Sequence, residues 1–176
     1  MEYTIRKYKN GDGEQIVPLK NISWRSAYSH IFPEEVFIDN ENKTPEKIKT
    51  FNDDLKAKGG ECYVAELNGK IIGVMIYNLK CEVEYFAKMG YAQLAVLYLH
   101  PEMQRQGIGK ALFDLFVKNL KEEKHNKFCI GVLKDNFNAR KANEKWGGKL
   151  TNVKVDFVRL NKPYTEVFYE YDANML

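Results

Sequence analysis

At 176 residues and a net charge of +3, the chain has the length of one domain able to bury a core, and its scattered lysines give no case for nucleic acid. Aromatic residues are plentiful (11 Tyr and 10 Phe), no segment approaches the apolar length of a membrane span, and Met1-Glu2-Tyr3-Thr4-Ile5-Arg6 lacks a signal-peptide core, so a cytoplasmic location away from membranes is expected. The three cysteines (62, 81 and 129) are too few and too widely spaced for a metal site or a disulfide framework, and Cys62 and Cys129 read as small core hydrophobes within strands.

Along the chain, Tyr3 to Tyr8 reads as a first strand ended by Gly11-Asp12-Gly13. A helical stretch to about Tyr28 follows, with Ile16, Leu19, Ile22 and Ala27 on a partial apolar face and Pro18 counting against an unbroken helix. Phe32-Pro33-Glu34-Glu35 opens a second short helix, and Thr44-Pro45 reads as an N-cap with proline at the first helical position, leading a charged helix to Gly59-Gly60. Glu61–Leu67 and Lys70–Leu79 are β-rich runs joined by Asn68-Gly69, a strong hairpin signature. Residues 80–91 read as a loop or extended bulge. Leu94 to Leu99 shows no polar alternation and predicts a central strand covered on both faces.

Beyond that strand come Pro101 and a Gln104-x-x-Gly107-x-Gly109 turn, which opens a helix with Ile108, Ala111, Leu112, Leu115, Phe116 and Leu120 on one stripe. Phe128–Leu133 predicts another strand, Asn136–Trp146 a helix stopped by Gly147-Gly148, and Lys149–Arg159 with Tyr164–Tyr171 a final β pair that could mediate a homodimer. The order is that of one α/β domain over residues 1–176, with no repeats or linker.

A strand feeding a glycine-rich helix N-terminus is an anion site, because the first-turn N–H groups lack intrahelical partners and the dipole is positive there. A Walker loop is excluded: Gln104 stands where its first glycine would be and Ala111 replaces the metal-binding hydroxyl. A dinucleotide fingerprint is excluded by Leu112 at its third glycine.

The turn, its flanking strand and helix, and the later Asn136-x-x-Ala139 resemble the GCN5-related N-acetyltransferase (GNAT) family, over about residues 60–172. The resemblance implies a mixed, mostly antiparallel twisted sheet of about seven strands with helices on both faces. It also implies acetyl-CoA as acyl donor, with no metal. The pyrophosphate would rest on Gln104, Arg105, Gln106, Gly107, Ile108, Gly109 and Lys110, and the pantetheine arm would pair with Leu97, Tyr98 and Leu99. A backbone N–H near Leu99 would serve the oxyanion, and Asn136 would contact the CoA arm or cap its helix.

One departure matters. The family's acid tyrosine, which protonates the leaving thiolate, is Asn143 in this chain, and Gly148 stands where phenylalanine is common. An amide can donate a hydrogen bond to sulfur but not a proton. A thiol with a pKa of about 8.5 is a tolerable leaving group, so transfer is expected either unassisted or with another tyrosine such as Tyr98. The strand before Tyr98 carries no acid, which leaves Glu82 and Glu84 as candidate bases, with His30 and His100 as further options.

Trp24 to Pro33 is similar to bacterial members of the family that acetylate polyamines or other small amines, so a small-molecule primary amine is the expected acceptor. Glu34, Glu35, Glu82 and Glu84 are available to attract it. The alternative is a non-catalytic acyl-CoA-binding sensor or partner-binding module that kept the turn and lost the chemistry.

Overall fold

The computed structural model describes residues 2–176. Its strands are β1 (Thr4–Lys7), β2 (Gly60–Leu67), β3 (Lys70–Asn78), β4 (Ala92–Leu99), β5 (Lys127–Leu133), β6 (Lys149–Arg159) and β7 (Lys162–Asp172). They form one sheet in the order β1-β2-β3-β4-β5-β7-β6. Among the described ladders, β4–β5 is parallel and the rest are antiparallel. The helices are α1 (Gly13–Tyr28), α2 (Glu34–Asn42), α3 (Thr44–Ala57), α4 (Glu84–Lys88), α5 (Ile108–Glu122) and α6 (Phe137–Lys145). This is the mostly antiparallel α/β architecture expected.

The chain divides into two compact units, one holding the residues up to Asn78 with Val96–Phe116, the other Leu79–Ala95 with Val117–Leu176. In the first, Asn68 and Gly69 take positive φ (51° and 76°) and close the β2–β3 hairpin as their sequence predicts. Arg6 on β1 donates to both carboxylate oxygens of Asp12 (2.7 and 3.0 Å), and Asp12 also accepts from Lys9 N–H, which fixes the entry to α1. Pro18 lies inside α1 without ending it. Ile16, Val17 and Leu19 of α1 pack with Phe51 of α3 and with Cys62, Val64, Ile71 and Val74 of the hairpin. Burial pushes the Cys62 thiol up to about 12, in keeping with a core hydrophobe.

Thr44 is not the cap of α3 that its sequence suggests. It is already helical, and its hydroxyl donates to the Asn40 carbonyl (3.3 Å) while accepting from Asn21 Nδ2 (2.7 Å). The end of α2 takes that hydroxyl through a bond four residues back, and Asn21 of α1 adds a tertiary contact with no local signal.

In the second unit, the segment expected to be a loop contains α4, anchored by the fully buried Phe86, which packs with Tyr91 and Phe168. A single apolar anchor in so short a helix leaves no 3.6-residue periodicity to read. Strand β7 pairs with β5 from Asp172 to Glu166, and among the described ladders β6 pairs with β7 alone and leaves Leu150, Val155 and Val158 exposed. The β6–β7 connection is tighter than the sequence suggests, turning at Leu160 and Asn161 with φ of 47° and 62°.

Candidate functional site

The turn between β4 and α5 is built by short-range bonds. Met103 N–H donates to the His100 carbonyl (2.8 Å) and Gln104 N–H to that of Pro101 (3.3 Å). Arg105 and Gly107 then take positive φ (61° and 84°), and Gln106 Nε2 donates to the Glu102 carbonyl at 2.9 Å. The Gly107 carbonyl accepts from Ala111 N–H (3.0 Å) in the first ladder bond of α5. The N–H groups of Ile108, Gly109 and Lys110 precede that bond, so helix geometry points them out of the positive end. Gln104 to Gly107 are exposed while Ile108 is buried and pins the turn to the core. With no Cβ at 107 or 109, a diphosphate can reach the backbone itself. Lys110 is ion-paired with Asp114 one turn along α5, so part of its charge is spent within the helix.

Strand β4 departs from expectation in an informative way. Leu94 is buried, but Ala95 is exposed and Val96 to Leu99 are only half-buried. An apolar run signals a strand covered on both faces only if every neighbour is protein. Here it leaves apolar surface half-open over Leu97–Leu99, the stretch expected to meet the pantetheine arm. The end of the strand is fixed: Ser23 Oγ donates to the Leu99 carbonyl (2.9 Å) and His100 N–H to that of Ile72 (2.8 Å). A Cβ at Gly73 would stand 2.5 Å from Leu99 Cδ2, so the glycine admits the leucine.

The Tyr98 hydroxyl, a candidate acid, accepts from Trp24 Nε1 at 2.8 Å, and the Trp24 ring stacks on Phe32 and meets Tyr28 edge-on. Arg25 binds both oxygens of Glu34 (2.6 and 2.8 Å) and also Glu41. A groove of about 750 Å³ is lined by Ile22, Arg25, Glu41 and Pro101 among others, and its own Arg25 and Glu41 are paired with each other. His30 is exposed, and His100 lies 3.9 Å from the Glu102 carboxylate.

In the second unit, Asn136 caps α6, its Oδ1 accepting from Ala139 N–H at 3.1 Å. Asn143 is buried and its amide is engaged at both ends: Nδ2 donates to the Ala139 carbonyl (2.8 Å), and Oδ1 accepts from the Tyr171 hydroxyl (2.7 Å). The same tyrosine explains Gly148, where a Cβ would fall 2.6 Å from Tyr171 Oη. The two departures from the family pattern are thus one substitution in space. Tyr171, stacked on Phe128 at 4.5 Å, occupies the room that larger residues at 143 and 148 would need. Burial pushes its phenol well above the usual range, which makes it a poor proton donor. No signal local to residues 136–148 announces this partner.

Glu82 and Glu84 are both exposed. Glu84 is ion-paired with Lys88 (2.6 Å), while Glu82 donates its backbone N–H to Gln93 Oε1 (2.9 Å). Cys81 and Cys129 are buried with their sulfurs 3.3 Å apart; the hydrogen bond between them holds the Cys81 thiol below its usual range and, with burial, raises that of Cys129. A third carboxylate, Glu166 on β7, is half-buried beside Gly131, and burial raises it above the ordinary carboxylate range. It stands in the strand alternation with the fully buried Phe168. That alternation is the signal that would have marked it, an acid in register with a core aromatic.

Known proteins bear on this arrangement. Residues 20–147 match the sequence model of the acetyltransferase (GNAT) family. No curated protein sequence matches the chain. Among solved structures, a PaiA N-acetyltransferase from Thermoplasma acidophilum in complex with coenzyme A is 22% identical over 98% of this chain and 99% of its own, with a TM-score of 0.76. Salmonella typhimurium YncA, with its cofactor acetyl-CoA, is 15% identical over 98% and 95% (TM-score 0.69). A ribosomal-protein-alanine N-acetyltransferase from Brucella melitensis is 17% identical over 96% and 99% (TM-score 0.70). At such identities these likenesses show the fold alone, whereas the family match covers most of the chain, including the glycine turn and α6. The chain therefore belongs to the acetyltransferase (GNAT) family and is an N-acetyltransferase.

Proposed function

We propose that this N-acetyltransferase carries the acetyl group of acetyl-CoA to the primary amine of a small molecule, by direct attack of the amine on the thioester. The observation that carries the donor half is the exposed turn, where the N–H groups of Ile108, Gly109 and Lys110 precede the first ladder bond of α5. In this reading Arg105–Lys110 hold the pyrophosphate and the half-exposed Leu97–Leu99 run pairs with the pantetheine arm. That two of the similar structures hold coenzyme A or acetyl-CoA supports the choice of donor.

The leaving group departs as the thiolate without a proton from position 143, because the Asn143 amide is already committed to Ala139 and Tyr171. A thiol with a pKa of about 8.5 tolerates this near neutral pH. Thiol release from acetyl-CoA, measured over polyamines, aminoglycosides, amino acids and peptides, tests the proposal. Release that depends on one class of small amine supports it, preference for peptides moves the acceptor to a protein, and tight CoA binding with no release above background returns the chain to the sensor reading.

A further inference from the structure

We propose that Glu166 on β7 is the base that takes the proton of the acceptor amine, acting where the β4–β5 ladder ends; this rests on the acetyl-transfer reading above. The parallel ladder pairs Ala92 with Phe128 and Gln93 with Cys129, and both strands run on beyond these pairs. Gly131 lies on β5 two residues past Cys129, and a Cβ there would overlap Glu166 Oε1, so the missing side chain makes room for the carboxylate. On β4, Ala95 is exposed just past its last paired residue.

The groups that act on Glu166 come from several elements. Arg159 on β6 favours the carboxylate, Glu82 before α4 disfavours it, and its charge in turn acts on the buried Cys81 and Cys129. Burial is the largest influence and raises Glu166 above the ordinary carboxylate range, toward the operating pH at which a base is most effective. Glu84, by contrast, is exposed and held by Lys88.

The step balances simply. The ammonium of the acceptor gives one proton to Glu166, and the amine lone pair forms the C–N bond. The tetrahedral intermediate still carries a second N–H proton to be lost; as it collapses the C–S bond breaks, the electron pair leaves on sulfur, and that proton passes to solvent. Glu166 returns its proton to solvent. No oxidant or metal takes part in this balance.

The test compares wild-type protein with Glu166→Gln and Glu166→Asp, using thiol release with an amine from the panel, as kcat/KM between pH 5.5 and 10. Wild type should show an acidic limb above the normal carboxylate range and a plateau beyond it. Glu166→Gln should lose on the order of 100-fold at neutral pH and regain rate steadily as pH approaches the amine's own pKa of about 10.4. Glu166→Asp should keep the limb with a lower plateau.

Stability supplies the readout that a merely structural role would move. A carboxyl whose folded pKa is raised binds protons more tightly in the native state, so above that pKa its ionised form weakens folding. Glu166→Gln should therefore leave Tm at pH 7.5 unchanged or higher, with CoA affinity intact. An active wild type whose Glu166→Gln variant keeps the rate and pH profile overturns the role of Glu166 alone, as does a loss that follows Tm or CoA affinity. A wild type with no amine-dependent release overturns the transfer reading and this inference with it.

Discussion

At Gln104–Lys110 backbone N–H groups are presented by a turn that is exposed from Gln104 to Gly107 and set by bonds that reach no more than four residues along the chain. At Asn143 the groups that matter are side-chain atoms, buried, and met by Tyr171 from a strand 28 residues on. The first arrangement survives changes elsewhere in the fold because its conformation is fixed locally, by glycine at φ 84° and by a helix start. The second depends on three positions agreeing at once: an amide at 143, no side chain at 148 and a phenol at 171. An amide packed against a phenol stands where the resemblance implies an acid, while the glycine turn keeps the pattern the resemblance implies.

The sharpest way to break this comparison is to restore the family's tyrosine with Asn143→Tyr. The new ring would enter space held by Tyr171 and remove the side-chain acceptor of its hydroxyl (2.7 Å), leaving it the Asn143 backbone carbonyl (3.1 Å), so overpacking and a lost hydrogen bond act together. The expected cost is about 3 kcal/mol, or a Tm lower by roughly 5–10 °C in calorimetry. Adding Tyr171→Phe should recover part of that loss because removing the hydroxyl makes room for the new ring, although Tyr171→Phe alone costs about 1 kcal/mol. A stable Asn143→Tyr protein with faster turnover would mean that the position is an empty catalytic slot rather than a filled one.

A change on the other side of the comparison should behave oppositely. Gly107→Val forces a β-branched residue into a left-handed conformation, although open space surrounds the site. Strain of about 1–2 kcal/mol relaxes the turn away from its anion-binding shape, so coenzyme A should bind about tenfold more weakly by titration calorimetry. The loss should appear in donor affinity, with kcat at saturating acetyl-CoA much less affected. If Gly107→Val binds coenzyme A as well as wild type, the turn is not where the diphosphate rests.

These two sites also show which parts of the molecule could be read from its sequence. The hairpin at Asn68-Gly69, the turn at Gln104–Gly109 and the cap at Asn136 each depend on residues close together in the chain, and each lies where its pattern placed it. Strand β4 was legible as a strand but not as an open one, because an apolar run reads the same whether protein or a ligand covers it. Helix α4, the hydroxyl of Thr44 and the partner of Asn143 all depend on contacts from other elements. Glu82 and Glu84 are candidate bases by their nearness to β4 in sequence, whereas Glu166, the base proposed above, lies on β7 and is brought beside β5 by antiparallel pairing.

The smallest expected effect concerns Glu84, which sequence proximity made a candidate base. Its carboxylate is exposed and already paired with Lys88 one helical turn away. An exposed pair at this spacing contributes about 0.3–0.5 kcal/mol, and water replaces it readily. Glu84→Gln should therefore change Tm by about a degree or less and kcat by less than about twofold across the pH range. The contrast with Glu166→Gln carries the meaning, since both substitutions remove one negative charge from the same unit. If general electrostatic attraction of a cationic acceptor were enough, the two would weaken KM alike. A proton transfer at a defined atom requires that Glu166→Gln lower kcat and reshape the pH profile while Glu84→Gln leaves both as they were.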